Sequence, residues 1–348
     1  MNRQFPALRG IAIFLVIINH SIVLSLQTIT QFNLPRVSPL EKGFLLAIKE
    51  IGVLAVPIFL FLAGAFMMYS LSGKTVKEGY RLILPALKNA VIPYILWSVI
   101  FYFIIFLVNH ETYSLFGYIK NLLVGYPYNF VPILVFFILL SPILAWFSKK
   151  FPLITIALFL IYQIILLNIQ LPGVLGFVFP NWMVIVSPPI LGLPLTLWAV
   201  FYGFGMVYIL YSEKYKKIFG SVSIPIRLFS LALYVVAVSR EIGLIQFQLA
   251  EWLLPIITML LLPFINRNSI PFVRFFEGLG KRSYGIYFMN LIIIKLLVFL
   301  FANIFPTIFR VETLLVIILS IFTYFITTFL MEKLEKSSAR KYYRYIFG

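Results

Sequence analysis

Ten stretches of roughly twenty residues, each nearly free of charge, limit what this chain can fold into. They fall at about 8–28, 52–72, 90–108, 129–148, 152–169, 190–211, 227–243, 246–264, 284–304 and 313–332. A helix needs about 20 apolar residues to cross roughly 30 Å of hydrocarbon. Each stretch therefore reads as a membrane-spanning helix. Of 348 residues, 62% are hydrophobic and 11% are charged, whereas a soluble domain carries roughly 25% charged residues. Water could not solvate so much apolar surface, and lipid must. The 37 Phe and 20 Tyr suit lipid-facing surfaces and interfacial belts. The expectation is an all-α, polytopic integral membrane helix bundle of about ten transmembrane helices, one domain over residues 1–348. The apolar stretch at the N-terminus is longer than a signal-peptide core of 7 to 15 residues and has no clear cleavage site. It reads as a retained first helix.

Charge sets the expected orientation. Of 28 Lys and Arg residues, Arg36, Lys42, Lys49, Lys120, Arg240 and Arg310 fall on the side opposite the termini, and Lys295 falls within a span. The others, including Arg3 and the tail beyond residue 332, share the side of the two chain ends. By the positive-inside rule that side is cytoplasmic, so the chain is expected in the cell membrane with both termini in the cytoplasm. Two ends on one side require an even number of spans, which ten satisfies. The formal charge of +17 is thus matched to topology and anionic lipid rather than to nucleic acid, for which no soluble basic groove exists. Without cysteine, disulfides and thiolate chemistry are excluded. All eleven acidic residues are Glu, and two histidines are too few for a multi-histidine metal centre.

The first predicted helix holds the most informative pair, Arg9 and His20. Eleven residues are close to three helical turns, so the two side chains share a face, about 16 Å apart along the axis. Arg9 lies near the cytoplasmic surface, where a snorkelling side chain is the plain alternative. His20 lies deep in the span, where an ionisable group usually lines a polar cavity and a hydrogen bond to a neighbouring helix is the plain alternative. His110 falls in an exterior loop, and a solvated surface histidine accounts for it.

Several ordered fragments resemble one family. Arg9-Gly10 with His20 matches the R-x10-H signature that opens acyltransferase 3 proteins. Val56 to Gly64 is similar to the family's aromatic second segment, with Ala63 in place of its serine. The basic stretch from Lys74 to Lys88, containing Glu78-Gly79-Tyr80-Arg81, resembles the family's E-x-x-R run. It leads into Ile92-Pro93-Tyr94 and Trp97, as in the family's third span. Leu139-Leu140-Ser141-Pro142 resembles the end of the fourth span. Leu279 to Asn290, with Ser283-Tyr284 and Ile286-Tyr287, resembles the Ser-Tyr-x-Ile-Tyr-Leu-x-His segment. Asn290 stands where many members carry His, and Asn129-Phe130-Val131-Pro132 replaces a His-x-Trp-Phe-Leu type of sequence.

This resemblance implies a membrane O-acyltransferase of the kind that adds acetyl or succinyl groups to cell-envelope polysaccharides. It implies acyl-CoA (acetyl-CoA or succinyl-CoA) as co-substrate, no permanently bound cofactor, a carbohydrate acceptor and envelope polysaccharide biosynthesis proteins as neighbours. His20 would then be the general base, with Arg9 on its face and Asn19 steadying the oxyanion. Arg81, Lys88, Lys77, Lys74 and Glu78 would form the cofactor-binding group, since CoA phosphates call for cations on the cytoplasmic side. Lys74, Lys77, Arg81 and Lys88 fit one helical face, although Pro85 is expected to interrupt that helix. Glu50, Arg240, Glu241 and Glu251 are expected to cluster at the exterior ends of their spans and, with Asn290, to bind substrate. Ion pairing that closes helix ends accounts for that cluster equally well. Lys295 need not share a face with Asn290. A transporter or flippase for a lipid-linked sugar, or a scaffold in an envelope complex, would also suit ten spans. Transporters often show paired repeats with broken helices, and no such pairing is visible here; the scaffold does not account for Arg9 with His20.

Overall fold

A computed structural model describes residues 4–35, 37–186 and 199–348. Arg3, Arg36 and the first part of the predicted span 190–211 lie outside the described residues. Helices, and no strands, make up the regular structure of the described residues. In chain order they are α1 (Phe5–Gln31), α2 (Pro39–Gly52), α3 (Ala55–Ser70), α4 (Val76–Asn109), α5 (Leu115–Val124), α6 (Phe130–Lys150) and α7 (Pro152–Gln170). There follow α8 (Ala199–Leu210), α9 (Ser212–Gly220), α10 (Ser223–Glu241), α11 (Leu249–Leu261), α12 (Val273–Ile304), α13 (Glu312–Lys336) and α14 (Tyr343–Phe347).

Eight helical stretches among the described residues are long and apolar enough to cross a membrane, α2 and α3 together forming one of them. They overlie eight of the ten predicted spans. The other two predicted spans meet the shorter helices α8 and α11. Helix α4 departs from expectation at its start. It begins fourteen residues before the predicted span and runs unbroken through Pro85 and Pro93. A proline removes one backbone hydrogen bond; at Pro93, inside the span, lipid offers the freed carbonyl no competing water, so the rest of the ladder persists.

Two ends of the bundle are distinct. At one, Phe5 meets Phe66 edge-on at 5.7 Å, Lys149 Nζ donates to the Leu71 carbonyl at 3.2 Å, and α14 folds back onto α4. There Trp97 Nε1 donates to the Ile346 carbonyl at 2.7 Å, and the Trp97 and Phe347 rings stack at 6.2 Å. Both chain ends therefore lie together. At the opposite end, the Thr313 backbone N–H donates to Glu41 Oε1 at 2.7 Å.

Helices α1 and α12 form the axis of the molecule. They run in the same direction, since Pro6 meets Gly280, His20 meets Asn290 and Phe32 meets Phe299. Glycine permits their approach: a Cβ on Gly10 would lie 1.8 Å from the Phe276 carbonyl oxygen, and one on Gly280 would lie 2.0 Å from that of Pro6. Gly64 and Gly205 perform the same service where α3 crosses α8. Apolar surface gains little by leaving lipid, so membrane helices associate through such close-fitting small residues.

Candidate active site

Helix pitch brings Arg9 and His20 onto the face of α1 that packs against α12. His20 Nδ1 lies 2.6 Å from Asn290 Oδ1. The Asn290 amide nitrogen donates to the carbonyls of Ile286 at 3.0 Å and Tyr287 at 2.6 Å. Those two bonds fix the amide, because the reverse orientation would set its oxygen against two carbonyl oxygens. Asn290 Oδ1 is thus an acceptor towards His20, and Nδ1 must carry the proton. The other ring nitrogen, Nε2, then holds a lone pair. Asn290 is fully buried and His20 is half-buried as a residue, with its imidazole turned into the bundle against α12.

Below this pair lies an internal cavity of about 140 Å³. Arg9, Ala63, Phe66, Phe130, Ser283, Tyr284 and Tyr287 are among its lining residues. Segments of α1, α3 and α12 that resemble the family thus converge on one space, with α6 contributing Phe130 and Leu134. Tyr287 precedes Asn290 by three residues, about 4.5 Å of helical rise, so the cavity's inner limit is within a turn of the His20–Asn290 pair. Two polar groups in it are unengaged. Arg9 has no ion pair or hydrogen bond among the described residues, and Ser283 Oγ is buried without a partner. A guanidinium held in apolar surroundings without a counter-charge is costly. The cavity is therefore built to receive a polar or anionic group beside Arg9.

The basic stretch is placed differently. Lys74, Lys77, Arg81 and Lys88 are exposed at the end that carries the termini, and none lines the cavity. Lys74 precedes the helix, whose N-cap is Thr75, so the four do not form one helical stripe; Lys77, Arg81 and Lys88 do. Glu78 closes a capping box. Its carboxylate accepts from the Thr75 backbone N–H at 2.9 Å and hydroxyl at 3.0 Å, while its own N–H donates to Thr75 Oγ1 at 3.3 Å. That arrangement satisfies helix-start donors and gives Glu78 a local role.

The cluster of Glu50, Arg240, Glu241 and Glu251 does assemble, at the end opposite the termini. Lys49 pairs with Glu241 and Arg240 pairs with Glu251, which ties α2, α10 and α11 together. Glu50 is 2% exposed, and one of its carboxylate oxygens has no hydrogen-bond partner. Asn19 belongs to this group: its amide donates to the Lys49 carbonyl at 3.3 Å. It points to α2, about 100° around the helix from His20, so it is not beside the imidazole's partner. Lys295 faces the Phe101 ring at 5.7 Å, on a different side of α12 from Asn290. His110 caps the end of α4 and is exposed.

The structure also shows what residue patterns did not signal. Glu312, fully buried at the start of α13, accepts from Ser25 Oγ at 2.5 Å. The two residues are 287 positions apart, and no local pattern links them. No group of three or more metal-ligating side chains occurs among the described residues.

A family model described as an acyltransferase domain, that of the acyltransferase 3 proteins, matches residues 2–332. No curated protein and no solved structure matches the chain. The family match covers nearly every element that builds the cavity and the His20–Asn290 pair, and the chain belongs to the acyltransferase 3 family of membrane acyltransferases.

Proposed function

We propose that the protein moves an acyl group, acetyl or succinyl, from cytoplasmic acyl-CoA to a hydroxyl of a cell-envelope or exopolysaccharide glycan, with His20 as general base. The observation that carries this reading is the hydrogen bond from His20 Nδ1 to an amide whose orientation is fixed by two backbone carbonyls. It leaves Nε2 as a lone-pair nitrogen inside a membrane bundle, where a histidine with no task is rare.

In the proposed reaction, Nε2 takes the proton of the acceptor hydroxyl as its oxygen attacks the thioester carbonyl. The tetrahedral intermediate collapses, the C–S bond breaks, and the CoA thiolate leaves with the proton from the imidazolium. Asn290 keeps its hydrogen bond to Nδ1–H throughout and steadies the imidazolium between the two transfers. Arg9, unpaired at the outer end of the cavity, meets a phosphate or polar segment of the donor. Lys77, Arg81 and Lys88 raise the local concentration of the anionic donor from the cytoplasmic surface. The Lys49, Glu50, Arg240, Glu241 and Glu251 group lies on the acceptor side.

The test uses purified protein with acyl-labelled acyl-CoA and envelope glycan. Label should pass to the glycan, and His20→Ala that inserts normally should lose about 10²- to 10⁴-fold of that rate, the usual contribution of a positioned base. Undiminished transfer by His20→Ala would end the assignment of the base. Movement of a lipid-linked sugar without acylation would end the enzymatic reading as a whole.

A further inference from the structure

At the end that carries both termini, α12 and α13 part to leave a groove of about 400 Å³ on the flank of the bundle. Arg274, Gly278, Lys281 and Arg282 of α12 and Tyr324 and Thr328 of α13 line it. The four α12 positions follow the spacing of one helical face. Gly278 leaves the groove open, since a Cβ there would meet nothing within 4 Å. The groove shares no lining residue with the cavity beside Arg9.

Its charges are not balanced. Arg282 is engaged by Glu332 at 2.6 Å and Glu335 at 3.6 Å. Glu277, the acidic residue closest in sequence to Arg274 and Lys281, is taken by Arg267 through two hydrogen bonds of 2.6 and 2.9 Å. Arg274 and Lys281 therefore have no ion pair among the described residues. From Thr328 an apolar track continues along the same side of α13, through Phe325 (62% exposed), Ile321 (48%) and Ile317 (49%).

We propose that this groove is a binding site for an anionic phospholipid, whose phosphate lies among Arg274, Lys281 and Arg282 and whose acyl chains follow Phe325, Ile321 and Ile317. A neutral lipid would leave Arg274 and Lys281 with only the longer-range attraction of Glu277, which Arg267 already holds. A small soluble anion would answer the charges alone, whereas a phospholipid bound there sets its acyl chains on the apolar track that leads away from them. Basic pockets between spans at the membrane surface bind anionic headgroups by this combination.

The experiment reconstitutes the full-length protein in bilayers of phosphatidylcholine with phosphatidylglycerol and counts the lipids it retains by native mass spectrometry. Wild type should retain phosphatidylglycerol in preference to phosphatidylcholine. Arg274→Ala and Lys281→Ala should each weaken that retention about fivefold, equivalent to about 1 kcal/mol for one cation at an anionic surface. Gly278→Trp, which fills the groove without changing charge, should abolish it. The pair Lys214→Ala with Lys217→Ala, on α9 at the same end, should leave it unchanged. An equal loss in the α9 pair would reduce the effect to general surface potential and overturn the site. Full retention by Gly278→Trp, or displacement of the lipid by millimolar inorganic phosphate, would overturn it too.

Discussion

Replacing Asn290 by leucine removes the acceptor that holds the His20 tautomer while leaving a side chain that suits the middle of a helix. Asn290 is fully buried, and its amide bonds to the Ile286 and Tyr287 carbonyls are additions to the backbone ladder, so α12 retains its helical bonds. What is lost is the 2.6 Å contact to His20 Nδ1. A neutral hydrogen bond of this kind contributes about 1 kcal/mol net. Without it the ring is no longer biased towards the Nδ1–H form, and the ratio of that tautomer to the Nε2–H form falls by about fivefold, since 1.4 kcal/mol is tenfold. Orientation is lost in addition, which brings the expected fall in kcat to about five- to thirtyfold. In the proposed reaction acyl-CoA is held by Arg9 and the basic surface rather than by Asn290, so its KM should stay within about twofold. Asn290→Asp keeps an acceptor for Nδ1–H but turns a second oxygen towards the Ile286 and Tyr287 carbonyls, so it should recover only part of the rate. The assay is acyl transfer from acyl-CoA by matched amounts of purified, correctly folded variants. If Asn290→Leu turned over at the wild-type rate while His20→Ala did not, the amide would have no part in holding the base.

Other outcomes follow from the same geometry. Arg9→Met, which keeps the side-chain length without the charge, should lower kcat/KM for acyl-CoA about ten- to hundredfold, the loss of one charged hydrogen-bonding group of about 1.5–3 kcal/mol; steady-state kinetics against donor concentration measures it. Gly280→Leu places a side chain where a Cβ is already 2.0 Å from the Pro6 carbonyl oxygen, so α1 and α12 cannot approach, and the midpoint of thermal unfolding in detergent should fall sharply or folded protein should be lost. The chain has no native cysteine, which makes single reporters clean: a membrane-impermeant maleimide applied to intact cells should label Leu244→Cys and spare Ser72→Cys, and the reverse pattern would invert the orientation.

Much of this molecule was written in runs of residues. Helices coincide with the uncharged stretches, because the length of an apolar run is measured against the thickness of the bilayer and needs no partner to be read. The alignment of Arg9 with His20 is likewise a property of the helical repeat alone. Partners between helices are another matter. That His20 meets Asn290 270 residues away, that Asn19 turns to α2 instead, and that Lys49 ties α2 to Glu241 depend on how the spans are rotated against one another. The Glu78 capping box with Thr75 is by contrast a local matter of three residues, which the Thr-x-x-Glu pattern could have revealed. Within lipid, hydrophobicity scarcely distinguishes a face that meets protein from one that meets acyl chains. The rotation is decided by where glycines let two backbones touch and where buried polar atoms find each other, and those are facts of the assembled bundle.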